Sequence, residues 1–322
     1  MKRLVALALL ALALVPAVDR LRARRSIVLP ATPIAPALTL AVRLPGQAPL
    51  ASWATVGGCG AGGSSASAPG GGIQWVGRHV TGGLVDAQAL TTQTFAHGNQ
   101  FTAVSTRLGT SVTERFGLAL NVPVLYKVGD VTVLGATKTA RLSGFGDLSL
   151  ELSYKLGAIG AHQLMLIGSA PTGSHDAVRQ GIVLPQHLQL GAGVPGATLQ
   201  YQHTRDRDWG LVLVGATANY AGWENSIGDW RSPSATAYGY AGYILGRWVP
   251  SAGLTLFGKP MHDRERGADR PDHLDPLMMV VPSLALEWSS DWIAVLPAAT
   301  VGISYNGLES VSLGLGISSS LF

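Results

Sequence analysis

Segment 145–156 carries the feature that most limits the fold of this chain, a strict alternation of apolar and polar residues. Its apolar positions are Leu148, Leu150, Leu152, Tyr154 and Leu156. Its polar positions are Asp147, Ser149, Glu151, Ser153 and Lys155. Successive side chains of a β-strand point to opposite sides, so the segment predicts a strand with one apolar face and one polar face.

Segment 115–127 repeats the alternation, with apolar residues at every second position from Phe116 to Tyr126. In a soluble sandwich such apolar faces would point inward. In a membrane-spanning barrel they point to lipid, and the polar faces line the lumen.

Composition favours the barrel. Apolar residues make up 47% of the chain and charged residues only 13%, about half of the ~25% that is usual in soluble domains. A helix that spans a bilayer needs about 20 consecutive apolar residues, and the nearest run, 4–18, is interrupted by Pro16. The other backbone arrangement that a bilayer tolerates is a closed β-barrel. We therefore expect an all-β protein that forms a single transmembrane antiparallel β-barrel in the bacterial outer membrane.

This interpretation assigns a role to each face of the two segments. The lumen-lining candidates are Asp147, Ser149, Glu151, Ser153 and Lys155. The lipid-facing candidates are Phe116, Leu118, Leu120, Val122, Leu148, Leu150, Leu152 and Tyr154.

The whole body of the chain predicts about twelve strands, an even number as bacterial barrels have. The predicted strands are 73–80, 100–109, 115–127, 145–156, 162–171, 188–203, 209–220, 235–247, 252–260, 279–288, 292–305 and 309–322. Every second link is short, and those between are long: 81–99, 128–144, 172–187, 221–234 and 261–278. The Asn306-Gly307 hairpin turn is the exception. Short periplasmic turns and long outer loops are expected.

The N-terminal region predicts export and a flexible lead-in. Lys2 and Arg3 precede a short apolar run that ends in small residues, which is typical of a signal peptide over 1–18. Residues 19–72 form a low-complexity segment rich in Pro, Gly and Ser, followed by the barrel over 73–322. Residues 59–322 hold 16 basic and 18 acidic residues. This balance argues against a nucleic-acid partner, which would require a basic patch on the folded domain.

The chain has one cysteine, Cys59, so an internal disulfide is excluded. The small residues before Cys59 resemble a bacterial lipoprotein box, although Gly57 stands where Ala or Ser is usual. Lipidation of Cys59 and an unmodified thiol are both open at this point.

Four tryptophans share one predicted end of the barrel, beside the short turns. They are Trp209, Trp248, Trp288 and Trp292. Amphipathic aromatic rings favour the membrane interface, so we interpret them as part of a periplasmic girdle. Ordinary packing of the turns is the alternative.

Four short segments, in this order, resemble an outer-membrane transporter family associated with the meta-pathway of phenol degradation: 112–116, 144–148, 171–173 and 188–193. The resemblance covers about 110–220 and implies an outer-membrane barrel that passes aromatic or other small hydrophobic compounds. It brings no catalytic motif. The terminal Phe322 resembles the signal recognised by the barrel assembly machinery, although Val311, Leu313, Leu315, Ile317 and Leu321 are out of step with it.

Two clusters allow other chemistry. The acidic and histidine-rich stretch 261–276 could bind a divalent cation, but interleaved arginines make a solvated loop an equal explanation. Ser174-His175-Asp176 offers groups for hydrolysis without a spacing that matches a nucleophile signature.

The leading function hypothesis is a channel that passes small, hydrophobic or aromatic solutes by passive diffusion. The alternative is a non-catalytic structural or interaction barrel that presents its outer loops or scaffolds an envelope complex. We expect no enzyme activity, no catalytic residues, no cofactor and no metal. The expected partners are outer-membrane lipids, the barrel assembly machinery during insertion and a small-molecule solute.

Overall fold

The structure is a computed structural model. It describes residues 85–96, 99–113, 115–133, 136–156, 162–179, 182–220, 223–269, 277–290 and 293–321. Among these residues, no helix has the length and hydropathy needed to cross a bilayer.

The described residues form seventeen strands and one short 3₁₀ turn, Gln186–Leu188. The strands are β1 Val85–Ala96, β2 Asn99–Ser111, β3 Phe116–Val133, β4 Ala136–Phe145, β5 Leu148–Leu156, β6 His162–Ala170, β7 Val178–Arg179, β8 Ile182–Val183, β9 Gly196–Arg207, β10 Gly210–Tyr220, β11 Ser234–Tyr243, β12 Trp248–Gly258, β13 Arg264–Glu265, β14 Ala268–Asp269, β15 Met278–Ser289, β16 Ala294–Ser304 and β17 Gly307–Leu321.

Thirteen of these strands make one antiparallel sheet that closes on itself. The closing pair is β1 with β17, in continuous register from Val85 opposite Leu321 to Phe95 opposite Val311. The two-residue pairs β7–β8 and β13–β14 lie outside the main sheet. We call the end of the barrel that holds Val85 and Leu321 the terminal end, and the opposite end the loop end.

The strands β4 and β5 are two halves of one broken strand. β3 pairs with β5 through residues 116–121 and with β4 through residues 124–133. The register shifts by one residue at Gly146-Asp147, as in a β-bulge. Only the β5 half continues the wall, because β6 pairs with β5. Counting the broken strand once, the barrel has twelve strands, which confirms the predicted single antiparallel barrel.

Two predicted loops are wrong. The predicted loop 81–99 contains β1, and the predicted loop 128–144 contains the upper part of β3 and most of β4. The predicted strand 73–80 lies outside the described residues. β1 lacks an apolar alternation because Thr and Gln occupy both of its faces, so only its hydrogen bonds to β2 and β17 mark it as a strand.

The predicted strand 188–203 is wrong in its first half. β9 begins at Gly196, and residues 188–195 belong to the connection between β6 and β9. The apolar residues that suggested a strand there, Leu188 and Leu190, are buried in the end of that connection. Each of the remaining predicted strands overlaps an observed strand, and the majority of their predicted ends agree with the observed ends to within a few residues.

Apolar side chains lie on the outer face of the barrel and polar side chains on the inner face, which is the reverse of their distribution in a soluble protein. Large apolar side chains are exposed on the outer face, among them Leu150, Leu166, Leu199, Leu256 and Leu284. Polar side chains are buried on the inner face, among them Gln163, Gln200, Gln202, Thr255 and Thr300. A closed sheet with an apolar exterior and a polar interior fits a bilayer and not water.

Candidate functional site: the barrel interior

The predicted two-sided strand is present in β5. Its four polar positions are all buried, namely Ser149, Glu151, Ser153 and Lys155, and so is Asp147, which directly precedes the strand. The apolar candidates of β3 and β5 lie on the other face. Phe116, Leu120, Leu150 and Tyr154 are exposed, and Leu118, Val122, Leu148 and Leu152 are half-buried.

Glu151 forms a bidentate ion pair with Arg107 on β2. Nε of Arg107 lies 3.1 Å from Oε2 of Glu151, and Nη2 lies 2.7 Å from Oε1. The guanidinium group of Arg107 lies close to Gly109, where an added Cβ would be 3.1 Å from Nη1 of Arg107. The absence of a side chain at Gly109 leaves room for this group. Arg107 was not among the residues predicted from the sequence, because its partner Glu151 is 44 residues away and no local pattern links the two.

Amide side chains line the wall next to this pair. Nε2 of Gln202 donates to Oε1 of Gln163 at 2.8 Å, and Nε2 of Gln200 donates to the hydroxyl of Tyr238 at 2.8 Å. Lys155 lies directly across from Gln163 in the β5–β6 register. Strands β2, β3, β5, β6 and β9 therefore contribute a hydrogen-bonding wall, which we call the polar wall.

The opposite wall is richer in buried apolar side chains than the polar wall. Its inward-facing apolar residues on strands β10, β12, β15 and β16 include Leu211, Leu213, Val249, Val281 and Leu296. The same inner faces also hold polar side chains, namely Ser251, Thr255, Ser283, Glu287 and Thr300. β11 adds Tyr238 and Tyr240, whose rings lie 6.0 Å apart between centroids. Tyr240 shares a hydrogen bond of 2.9 Å with Oγ1 of Thr255. We call this side the apolar wall.

The two tyrosine rings lie flat against the barrel because glycines face them. A Cβ at Gly253 would lie 2.0 Å from Cδ1 of Tyr240, and one at Gly215 would lie 2.4 Å from the hydroxyl of Tyr238. Neither tyrosine was predicted from the sequence, because the glycines that make room for their rings are on the neighbouring strands β10 and β12.

Gly253→Ala tests this packing. The added methyl group must displace the ring of Tyr240, and overpacking of this kind costs about 1–3 kcal/mol. We expect a lower denaturant midpoint for the Gly253→Ala barrel, read from the loss of heat-modifiable gel migration in detergent. The matched control is Gly239→Ala, whose new Cβ would lie 3.8 Å from Cγ1 of Val214. Equal midpoints for the two variants would contradict the packing.

The connection 171–195, which we call the inward loop, folds against the inner wall at the loop end. Its apolar residues Leu184, Leu188 and Leu190 form one buried cluster with wall residues of β1 to β4: Ala96, Phe101, Leu125 and Leu142. A loop that packs inside the wall narrows the barrel at this end.

Two buried charges fasten the inward loop. Nζ of Lys127 donates to the carbonyl oxygens of His187 at 2.9 Å and Gln189 at 2.5 Å. The carboxylate of Asp147 accepts from the backbone N–H of Gly173 at 2.9 Å and of Ala192 at 2.7 Å. Asp147 therefore ties together the two ends of the loop, at the break between β4 and β5.

The position of Asp147 between β4 and β5 affects the pKa of its carboxyl group. Burial raises the pKa of its carboxyl above the usual value, while the two backbone N–H groups and the charges of Arg231 and His175 oppose the rise. The ionised form is the one that accepts both hydrogen bonds.

The other long loops close over the inward loop. Nδ2 of Asn225 donates to the carbonyl of Ala192 at 3.0 Å, and Nη2 of Arg266 donates to that of Val183 at 2.5 Å. Lys259 and Asp263 form a buried ion pair at 3.0 Å. The loop end is thus a hydrogen-bonded assembly of three connections.

The described residues of the two alternative clusters make contacts within and between the loops. Nε2 of His175 lies 3.0 Å from Oγ of Ser226, an exposed contact that joins two loops. Hydrolysis would also need a group that orients the histidine. No three His, Cys, Asp or Glu side chains among the described residues are grouped as metal ligands. Residues 270–276 of the acidic stretch lie outside the described ranges.

Three of the four girdle tryptophans are described, and they lie at the terminal end. Trp209 and Trp248 are exposed on the outside and Trp288 is half-buried. Trp248 lies opposite Trp288 with ring centroids 6.5 Å apart, and Trp209 stacks on Tyr243 at 6.5 Å. Trp292 and Cys59 lie outside the described residues.

No family model and no curated protein matches the sequence. The fold does match solved structures. An outer membrane channel from Pseudomonas putida F1 has a TM-score of 0.54 at 14% identity, covering 75% of this chain and 96% of that one. The NanC porin gives 0.45 at 10%, covering 73% and 100%. The Pseudomonas putida toluene transporter TodX gives 0.44 at 10%, covering 80% and 98%.

The first of these likenesses establishes the fold, that of an outer-membrane β-barrel. The inverted distribution of polar and apolar side chains requires a lipid environment on the outside. The protein is accordingly a barrel of the bacterial outer membrane.

Proposed function

We propose that the protein is a non-catalytic channel through which small solutes with an aromatic or other apolar part and a polar group diffuse passively. Barrels of eight strands are filled by side chains, whereas barrels of about 16–18 strands leave a wide aqueous channel. Twelve strands suit a narrow path, and the inward loop narrows it further.

The observation that carries the proposal is the division of the interior into two walls. Tyr238 stands at their border, with Gln200 of the polar wall bonded to its hydroxyl. Leu213 of the apolar wall is paired with Tyr240 in the β10–β11 register. An aromatic ring with a hydroxyl or carboxylate can contact the apolar side chains of one wall and the hydrogen-bonding groups of the other at once. The sequence resemblance to the phenol meta-pathway transporters supports the same solute class.

Several sequence-based expectations belong to this proposal. Residues 1–18 serve as the export signal and 19–72 as the lead-in to the barrel. The barrel assembly machinery inserts the chain. The polar face of β5 lines the lumen, its apolar face and that of β3 meet lipid, and the tryptophans mark the periplasmic interface.

Solute flux tests the proposal. Purified barrel in liposomes should pass 4-hydroxybenzoate faster than gluconate, a carboxylate of comparable size without a ring. Tyr240→Phe should retain this preference, and Tyr240→Ser should lose much of it because the ring is gone. The measurement is uptake of radiolabelled solutes into sealed vesicles, with empty liposomes as the control. Equal rates for both solutes, or a barrel that passes neither, would overturn the proposed solute class or the channel itself.

A further inference from the structure

The side chains on the outer face of β9 become more polar toward the terminal end, from apolar through aromatic and imidazole groups to arginines. Alternation places Leu199, Tyr201, His203, Arg205 and Arg207 on this face, and all of them are exposed or half-buried. An outward arginine is costly at the middle of a bilayer and costs about 0–1 kcal/mol near an interface. The two arginines therefore belong at the level of the lipid headgroups.

Tyr201 and His203 form a cluster with His162 on the neighbouring strand β6. The imidazole rings of His162 and His203 stack with centroids 4.3 Å apart. Nδ1 of His162 lies 2.7 Å from the hydroxyl of Tyr201. Nδ1 of His203 is buried with no hydrogen-bond partner among the described residues, so Nε2 is the nitrogen that can reach a ligand.

The surroundings of this cluster are apolar on both sides. On one side lie the exposed side chains of Leu164 on β6 and of Leu156 on β5, the latter opposite His162. On the other side lies the exposed side chain of Val214 on β10, opposite His203. Arg205 is two residues beyond His203, a spacing of about 6.8 Å along a strand, which a guanidinium side chain can span. Asp206 points to the opposite side of β9 by alternation, and Asp208 lies in the turn that follows.

We propose that this cluster of Tyr201, His203, His162, Arg205 and Arg207 binds the phosphate headgroup of an anionic phospholipid in the periplasmic leaflet. The arginines supply positive charge and bidentate hydrogen bonds to phosphate oxygens. The imidazole and phenol groups supply additional hydrogen bonds. The acyl chains lie toward the bilayer centre along Leu164, Leu166 and Leu199. The apolar continuation favours a lipid over free phosphate.

Lipid retention tests the site. The barrel is extracted in detergent, delipidated, and mixed with phosphatidylglycerol or with phosphatidylcholine of the same acyl chains. Native mass spectrometry then counts the bound lipids. We expect phosphatidylglycerol to be retained at least about fivefold better than phosphatidylcholine, and this preference to fall to near unity in the double variant Arg205→Gln/Arg207→Gln.

The matched control is Arg247→Gln, an exposed arginine in the β11–β12 turn at the same end of the barrel. It should leave the preference unchanged. Tyr201→Phe should weaken retention by a smaller factor because one hydroxyl is lost. Heat-modifiable migration confirms that each variant is folded.

Three results would overturn the proposal. The first is equal retention of the two lipids by the unaltered barrel, and the second is an equal loss of preference in Arg247→Gln. The third is competition by inorganic phosphate as effective as that by phosphatidylglycerol. Solute flux is measured separately, so failure of the channel proposal does not affect this outcome.

Discussion

Asp147→Ala is expected to convert the barrel from brief openings to a predominantly open, higher-conductance state. The carboxylate of Asp147 holds both ends of the inward loop, through Gly173 and Ala192. Hydrogen bonds to a charged group contribute about 1.5–3 kcal/mol each. Each 1.4 kcal/mol changes an equilibrium about tenfold. Losing both bonds should therefore shift the equilibrium between the held and the released loop ends by about a hundredfold or more toward release.

Single-channel recording in planar bilayers is the measurement. The matched control is Asp176→Ala, because Asp176 is an exposed acid of the same loop. Asp147→Asn should be intermediate, since the amide keeps one acceptor oxygen and puts a donor where the second N–H needs an acceptor. If Asp147→Ala and Asp176→Ala have the same conductance and open time, the inward loop is not the constriction.

Lys127 binds the inward loop between the two ends that Asp147 holds, at the carbonyls of His187 and Gln189. Its role shows what the sequence could not reveal. Lys127 reads as one polar residue in a strand. Its two carbonyl partners are 60 and 62 residues away in a loop. Alternation within a strand tells which side a residue faces, but not which loop folds back to meet it.

The parts of the fold that were predicted correctly are those whose outer face must be apolar. In β5 and in the lower part of β3, the positions on the outer face carry Phe, Leu, Val or Tyr at every second residue, and the pattern is local. β1 has no such pattern, since Gln88, Thr91 and Gln93 are spread over both faces. Its existence depends on pairing with β17, which begins more than 200 residues later. A strand defined by distant partners leaves little trace in its own sequence.

In the barrel interior, the polar face of β5 could be predicted from the sequence, whereas the opposite wall could not. Tyr238 and Tyr240 alternate with small residues and fit a barrel strand of either orientation. The glycines that receive their rings, Gly215 and Gly253, are on β10 and β12. The division into two walls is therefore a property of the assembled barrel.

The largest stability effect is expected at the Arg107–Glu151 pair. Both side chains are more than nine-tenths buried. Removing one partner takes the opposite charge of this pair away from the charge that stays buried, and breaking a buried pair costs about 3–5 kcal/mol. Glu151→Ala and Arg107→Met should each lower the free energy of unfolding by about that amount. The double variant should recover much of the loss, because replacing a whole buried pair by apolar groups is often close to neutral.

The measurement is urea unfolding in detergent micelles, followed by tryptophan fluorescence and checked by refolding. Ser149→Ala is the control, since it removes a polar group from the same face of β5 without leaving a charge behind. The decisive quantity is the coupling energy of the double-mutant cycle. If the two single losses simply add in the double variant, the ions are each solvated in the lumen and the pair contributes no stability of its own. If they do not add, the ion pair joins β2 to β5 across β3 and stiffens the polar wall where a solute would pass.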